Sequence, residues 1–190
     1  MTNEFIVPHS TGKHCKNNRE SYMVGALARW NNNHDQLTDI SKKAAEELGL
    51  APDCFNPYMN TIAQVVEVAH CIEDSIALID QLLDNGLQNE KPNQTPTKFG
   101  RGVGATEVPR GILYHEYDYD RKGNIVAANC IIPTGQNLGN IDFDMKKLVP
   151  EIIDKSKEDI TKHLEMLVRA YDPCISCSVH MLNVEFIEEE

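Results

Sequence analysis

Residues 56–86 read NPYMNTIAQVVEVAHCIEDSIALIDQLLDNG, and their periodicity decides the fold class. Ile62, Val65, Ala69, Ile72, Ile76, Ile79 and Leu83 recur at alternating steps of three and four, the pattern of a helix with one apolar stripe. Asn56-Pro57 opens the segment and Gly86 closes it. A continuous helix of this length is roughly 45 Å long at 1.5 Å rise per residue, enough to cross a whole domain. The stripe reads as core or partner-facing packing, and His70 as a core or interface residue rather than a ligand.

Upstream, residues 21–30 (SYMVGALARW) are small and apolar, which suits a short packed helix or a close backbone approach at Gly25. Asn31-Asn32-Asn33 is expected to break it. Thr38 or Asp39 caps a second helix through Lys43, Ala44 and Leu48, stopped at Gly49. Residues 1–19 show no period and are expected to wrap over something else or to be mobile. Downstream, residues 87–98 read as a loop and 99–104 (FGRGVG) as a close-packed loop, since no strand–helix context supports a phosphate cradle. Residues 111–119 and 125–132 are β-rich and separated by Asp120-Arg121-Lys122-Gly123-Asn124, a hairpin signal. A turn at 133–137 precedes helices at 144–153 and 157–171, the last ended by Asp172-Pro173. The chain is expected to be mainly α with a small β-hairpin, in a single domain over 1–190.

Net charge is -11, and no lysine or arginine cluster exceeds a pair, which disfavours a nucleic-acid partner. No apolar run of about 18 residues exists, so no membrane span is expected. Residues 1–10 lack the basic flank and apolar core of a secretory signal. Six cysteines at 15, 54, 71, 130, 174 and 177 then read as reduced thiols in a cytoplasmic protein. His9, His14, His34, His115 and His163 show no paired ligand spacing.

Chemistry concentrates near the end, in Asp172-Pro173-Cys174-Ile175-Ser176-Cys177-Ser178-Val179-His180. Two thiols followed by an imidazole form a compact set of soft and borderline metal ligands. A Cys-x-x-Cys pair serves zinc ligation, thiol exchange or a redox metal.

This segment resembles the C-terminal active-site motif of nickel–iron hydrogenase large subunits. Glu107-Val108-Pro109-Arg110-Gly111 resembles that family's Glu-x-Pro-Arg-Gly element, and Ile132-Pro133-Thr134-Gly135-Gln136-Asn137 its Pro-Ser/Thr element. Residues 21–29 resemble its middle region. The likeness covers nearly the whole chain and is nearest to cytoplasmic, nucleotide- or electron-carrier-linked members. The family's N-terminal Arg-x-Cys-Gly-x-Cys motif has no counterpart here, where Cys15 and Cys54 stand alone. The chain therefore resembles the C-terminal half of a large subunit, which implies either an N-terminal half on a separate chain or a truncated or diverged derivative.

The resemblance implies the helical-bundle large-subunit fold and half of a nickel–iron centre with carbonyl and cyanide ligands. Cys174 would bind nickel terminally and be the first candidate for the proton from dihydrogen; Cys177 would bridge the two metals. Pro109 and Arg110 would lie over the centre, with Arg110 donating to one cyanide, Asp172 holding Arg110, and Thr134 donating to the second cyanide. His180 would bind a magnesium or iron ion, to which Cys130 gives a backbone carbonyl. Iron–sulfur clusters would sit only in a partner small subunit, and a maturation endopeptidase would remove residues 181–190. The activity implied is reversible oxidation of dihydrogen to protons and electrons. The alternative is a non-catalytic structural or assembly subunit whose Cys-x-x-Cys holds zinc or nothing.

Overall fold

The long apolar period forms one 26-residue helix in the computed structural model, which describes residues 2–89, 91, 99–174 and 184–187. In chain order the elements are β1 (Asn3–Phe5), β2 (His14–Lys16), α1 (Ala26–Asn33), α2 (Asp39–Glu47), α3 (Asn60–Asn85), β3 (Gly100–Val108), β4 (Gly111–Tyr119), β5 (Ile125–Ile131), α4 (Pro133–Ile152) and α5 (Lys157–Ala170). Ala63 and Val66 of α3 bury against Leu27 and Trp30 of α1, Ala45 of α2 and Leu50 beyond it. Past that point the stripe emerges: Val68, Ile72, Ile76, Ile79, Leu82 and Leu83 are each more than half exposed. His70 is an interface residue, its Nδ1 accepting the Thr38 N–H at 3.4 Å where α2 begins.

Local chemistry explains the helix ends. Thr38 occupies the N-cap of α2. Beyond that helix Gly49 sits at φ +71°, the Gly49 N–H reaches Glu46 O and the Leu50 N–H reaches Ala45 O. This is a Schellman stop, which favours glycine at the left-handed position. α1 has Gly25 at its N-cap and so no capping side chain of its own. Asn60, buried at the start of α3, supplies the cap: its Oδ1 accepts the Leu27 N–H at 3.1 Å, and its Nδ2 donates to Ala170 O of α5 at 3.1 Å.

Several expectations are corrected. Asn31-Asn32-Asn33 does not break α1 but completes it, because the Asn31 amide donates to Cys54 O and accepts the Cys54 N–H. Residues 99–104 are not a loop: Gly100 opens β3, whose nine residues pair with β4 from Gly100–Tyr119 to Val108–Gly111. The hairpin is thus a three-stranded antiparallel meander, β3-β4-β5, with Arg101 ion-paired across it to Glu116 at 2.7 Å. Glycines at alternate positions gave no apolar alternation, yet they take an extended backbone freely. Residues 133–137 are the first turn of α4 rather than a preceding turn, with Pro133 at a first-turn position where its missing N–H costs nothing. Residues 2–19 wrap: β1 pairs with β2, and His14 and Cys15 are buried. Burial and the nearby Glu4 push the Cys15 thiol up to about 11. Among the described residues no helix is long and apolar enough to cross a membrane.

Two predictions follow from this packing. Asn60→Ala leaves two helix ends without their buried partner and should cost about 2–3 kcal/mol, read as a denaturant-midpoint shift with unchanged slope. Burial holds the His14 pKa below its ordinary 6.5, partly offset by Asp142. The unfolded chain therefore binds this proton more readily, and stability is complete above pH 6.5 and falls as pH drops toward the folded value. A His14→Asn variant should show a flatter decline of Tm between pH 7.5 and 5.5; an unchanged slope refutes the assignment.

Candidate metal centre

The turn between β3 and β4, the first turn of α4 and the exit from α5 meet at one place, each held by polar side chains. Pro109-Arg110 joins β3 to β4. Gly111 there has φ +136°, and a Cβ on it would stand 2.5 Å from Val24 Cγ2; a Cβ on Gly25, at φ +115°, would stand 3.2 Å from Arg110 O. Two glycines facing each other thus let the Arg110 backbone lie flush on Val24-Gly25.

Arg29 of α1 fixes the same turn. Its Nε and Nη2 donate to the two Glu67 oxygens at 2.6 and 2.7 Å, its Nη1 to Glu107 at 2.6 Å and Val108 O at 3.0 Å, and its Nη2 also to Pro109 O at 2.8 Å. All five guanidinium donors are engaged. Burial works against the charge, but the hydrogen bonds and charges of Glu67 and Glu107 outweigh it, so the pKa lies above the ordinary arginine value.

At the end of α5 the Asp172 N–H still reaches Arg169 O at 2.9 Å, but Asp172 itself turns left-handed at φ +48°. Aspartate is among the few side chains that tolerate this region, and Pro173 then prevents any return to helix. Asp172 O accepts Arg110 Nε at 2.9 Å, its Oδ1 lies 3.3 Å from the same nitrogen, and its Oδ2 accepts Gln64 Nε2 at 2.8 Å. The pair is well solvated, so it positions Arg110 more than it stabilises the fold. Two residues on, the Cys174 N–H donates to the buried Thr134 hydroxyl at 3.1 Å. That bond uses an oxygen lone pair and leaves the hydroxyl proton able to donate elsewhere.

The first turn of α4 is locked in turn. Gln136 Nε2 donates to Ile112 O at 2.7 Å while its Oε1 accepts the Tyr22 hydroxyl at 3.1 Å. Asn137 bonds both the N–H and C=O of Val24, at 2.8 and 3.2 Å. Tyr171 donates to Asp144 and accepts from Asn140, which also accepts from Ser21; burial and then Asp144 raise the Tyr171 pKa.

Arg110, Asp172, Thr134 and Cys174 are therefore brought together, with Pro109 in the turn. Cys130 lies apart on β5, its sulfur 3.3 Å from His115 Nδ1 across the strand pair. Cys177 and His180 lie outside the described residues. Among the described residues no three or more His, Cys, Asp or Glu side chains are grouped to hold a metal ion. Sequence reasoning missed Arg29, Asn60, Gln64 and the locking roles of Gln136 and Asn137. An arginine inside an otherwise small, apolar run was the one visible signal.

Residues 10–180 match the family model for nickel-dependent hydrogenase. The chain belongs to that family. It is 35% identical over 181 residues to sulfhydrogenase 1 subunit alpha of Pyrococcus furiosus, an alignment covering 95% of this chain and 42% of that subunit. It is 31% identical over 172 residues to the NAD-reducing hydrogenase HoxS subunit beta of Cupriavidus necator, covering 85% and 34%. Its fold matches the crystal structure of an NAD+-reducing NiFe-hydrogenase in the H2-reduced state with TM-score 0.75 and 28% identity, over 94% of this chain and 41% of that one. The chain spans about a third to two fifths of the length of these hydrogenase relatives. The mainly helical α+β class read from the sequence agrees with this family's fold.

The left-handed backbone at Asp172 yields a stability test. Asp172→Ala should lose about 1–2 kcal/mol, because alanine disfavours that conformation, whereas Asp172→Asn should lose less than half as much. Equal losses in urea titration would show that backbone conformation is not the constraint.

Proposed function

We propose that this chain supplies part of the large-subunit wall and two C-terminal thiolates to a nickel–iron site that interconverts dihydrogen with protons and electrons. The observation supporting this most directly is the convergence of Arg110, Asp172, Thr134 and the Cys174 backbone within the stretch that matches the family. The donor chemistry fits such a centre. Soft thiolates at Cys174 and Cys177 suit nickel and iron, and a cation held by Asp172 together with a buried hydroxyl bonded to the Cys174 N–H would suit anionic diatomic ligands such as cyanide. When bound, the centre supplies the Lewis acidity and redox capacity that the side chains lack.

The side chains have separable tasks in this reading. Cys174 Sγ holds the proton released from dihydrogen. Arg110 donates hydrogen bonds without competing for that proton, because a guanidinium stays charged. Asp172, itself bonded by Gln64, holds Arg110 in place, and Thr134 can donate its hydroxyl proton. His180 and the Cys130 carbonyl would hold a magnesium or iron ion.

The remaining thiolates come, in this proposal, from the complementary part of the large subunit on a partner chain. That partner covers the bare stripe of α3 and the groove of about 1050 Å³ lined by Arg29, Trp30, Val66, His70, Ile72 and Ile76. An iron–sulfur small subunit carries the electrons, a maturation endopeptidase removes residues 181–190, and the complex works in the cytoplasm.

Co-expression with a companion bearing Arg-x-Cys-Gly-x-Cys tests the reading. The purified complex should contain nickel and iron, show carbonyl and cyanide infrared bands, and reduce a dye under dihydrogen. Cys174→Ser should lose nickel, and Arg110→Lys should keep nickel while turnover falls by about 10²-fold. Zinc alone, or no metal, in the wild-type complex would overturn the proposal in favour of a structural subunit.

A further inference from the structure

A third apolar cluster lies away from the site, between the far ends of α4 and α5. Ile152, Ile160 and Leu164 are at most 8% exposed there, with Met145, Leu148 and Val149 packed around them. Part of their cover comes from the C-terminal segment, since Val184 and Phe186 pack on the cluster. Residues 184–187 alternate: Val184 and Phe186 are half-buried, whereas Glu185 and Ile187 face solvent, Ile187 being 81% exposed. Such alternation is that of an extended segment laid along a surface.

Charge supports the same seat. Lys157 opens α5, where a cation meets the unfavourable positive end of the helix dipole. Its Nζ instead lies over the Phe186 ring, 4.9 Å from the centroid. The tail sequence is acidic at Glu185 and at Glu188-Glu189-Glu190, opposite in sign to Lys155 and Lys157. Met145 and Ile152 lie 11 and 18 residues along α4 from Thr134, or about 16–27 Å at 1.5 Å per residue. The groove is therefore distinct from the site at the other end of that helix.

We propose that the groove between the far ends of α4 and α5 is a docking site for an extended segment with apolar residues at alternate positions and an acidic residue between them. Its resident occupant is the chain's own 184–187 strap. The chain is thereby held at Cys174, by Thr134, and again at Val184 and Phe186, by α4 and α5. The docking site is defined without metal or dihydrogen, so its failure and that of the hydrogenase reading are separate results.

The test uses the precursor chain, still carrying residues 181–190, in the complex in which it purifies, digested with a protease that cuts after glutamate and followed by intact mass. Phe186→Asp should speed cleavage after Glu185 by about tenfold or more, because burying a phenylalanine is worth about that much. Lys157→Ala, a surface change that spares folding, should speed it about two- to fivefold. Ile187→Asp adds the same charge on the outward side and should leave the rate unchanged. A labelled peptide of residues 181–190 should bind the Val184→Asp/Phe186→Asp chain saturably by anisotropy, and the same peptide carrying Phe186→Asp should not. Wild-type cleavage rates in both Phe186→Asp and Lys157→Ala, or equal binding of the two peptides, would overturn the proposal.

Discussion

One carboxamide joins the three helices on which the site rests. Asn60 stands at the head of α3 and satisfies the start of α1 with its oxygen and the end of α5 with its nitrogen. Helix ends carry backbone groups that cannot be left dry, so both helices must meet α3 at this point or lose a buried hydrogen bond. The meeting fixes the distance between Val24-Gly25, on which the Arg110 turn lies, and Ala170-Tyr171-Asp172, which grips that turn. Helix packing thus sets the turn that carries Arg110, and Asp172 then positions its side chain.

A second constraint is electrostatic. Arg29 is buried enough that an unpaired charge there would be costly, and it is acceptable only because two carboxylates and two carbonyls face it. Those partners come from α3, the end of β3 and the β3–β4 turn, so neutralising one half-buried cation also docks the sheet on the helices. Arg110 beside it stays partly in water and is guided by Asp172 alone among the described residues. One arginine is structural and the other is left with donors to spare, and burial decides which is which.

The sequence was most legible where a single face repeats. The stripe of α3, the Gly49 stop and the β4–β5 hairpin all announce themselves through period or turn chemistry. β3 did not, because Gly100, Gly102 and Gly104 leave no alternation to read and almost every residue in it is exposed. Pro133-Thr134-Gly135-Gln136-Asn137 looked like a turn because its polar side chains favour turns locally; their partners at Tyr22, Val24 and Ile112 come from distant segments and convert the stretch to helix. Of the site, Arg110, Asp172, Thr134 and Cys174 were picked out by resemblance to a family motif. Asn60, Gln64 and Arg29 were not, since a lone polar residue in an apolar run does not say whom it will meet.

The uneven burial of α3 also bears on how long the molecule survives. Its first turns are clamped by α1 and α2, whereas its last turns offer leucine and isoleucine to water with little to hold them. Opening there costs little free energy, and whatever covers that surface raises the cost by mass action. Copies made in excess of their cover would be the first that quality-control proteases recognise. If a counterpart chain covers that surface, as proposed above, the cellular level of this polypeptide would track the supply of that chain, giving matched stoichiometry without any dedicated regulator.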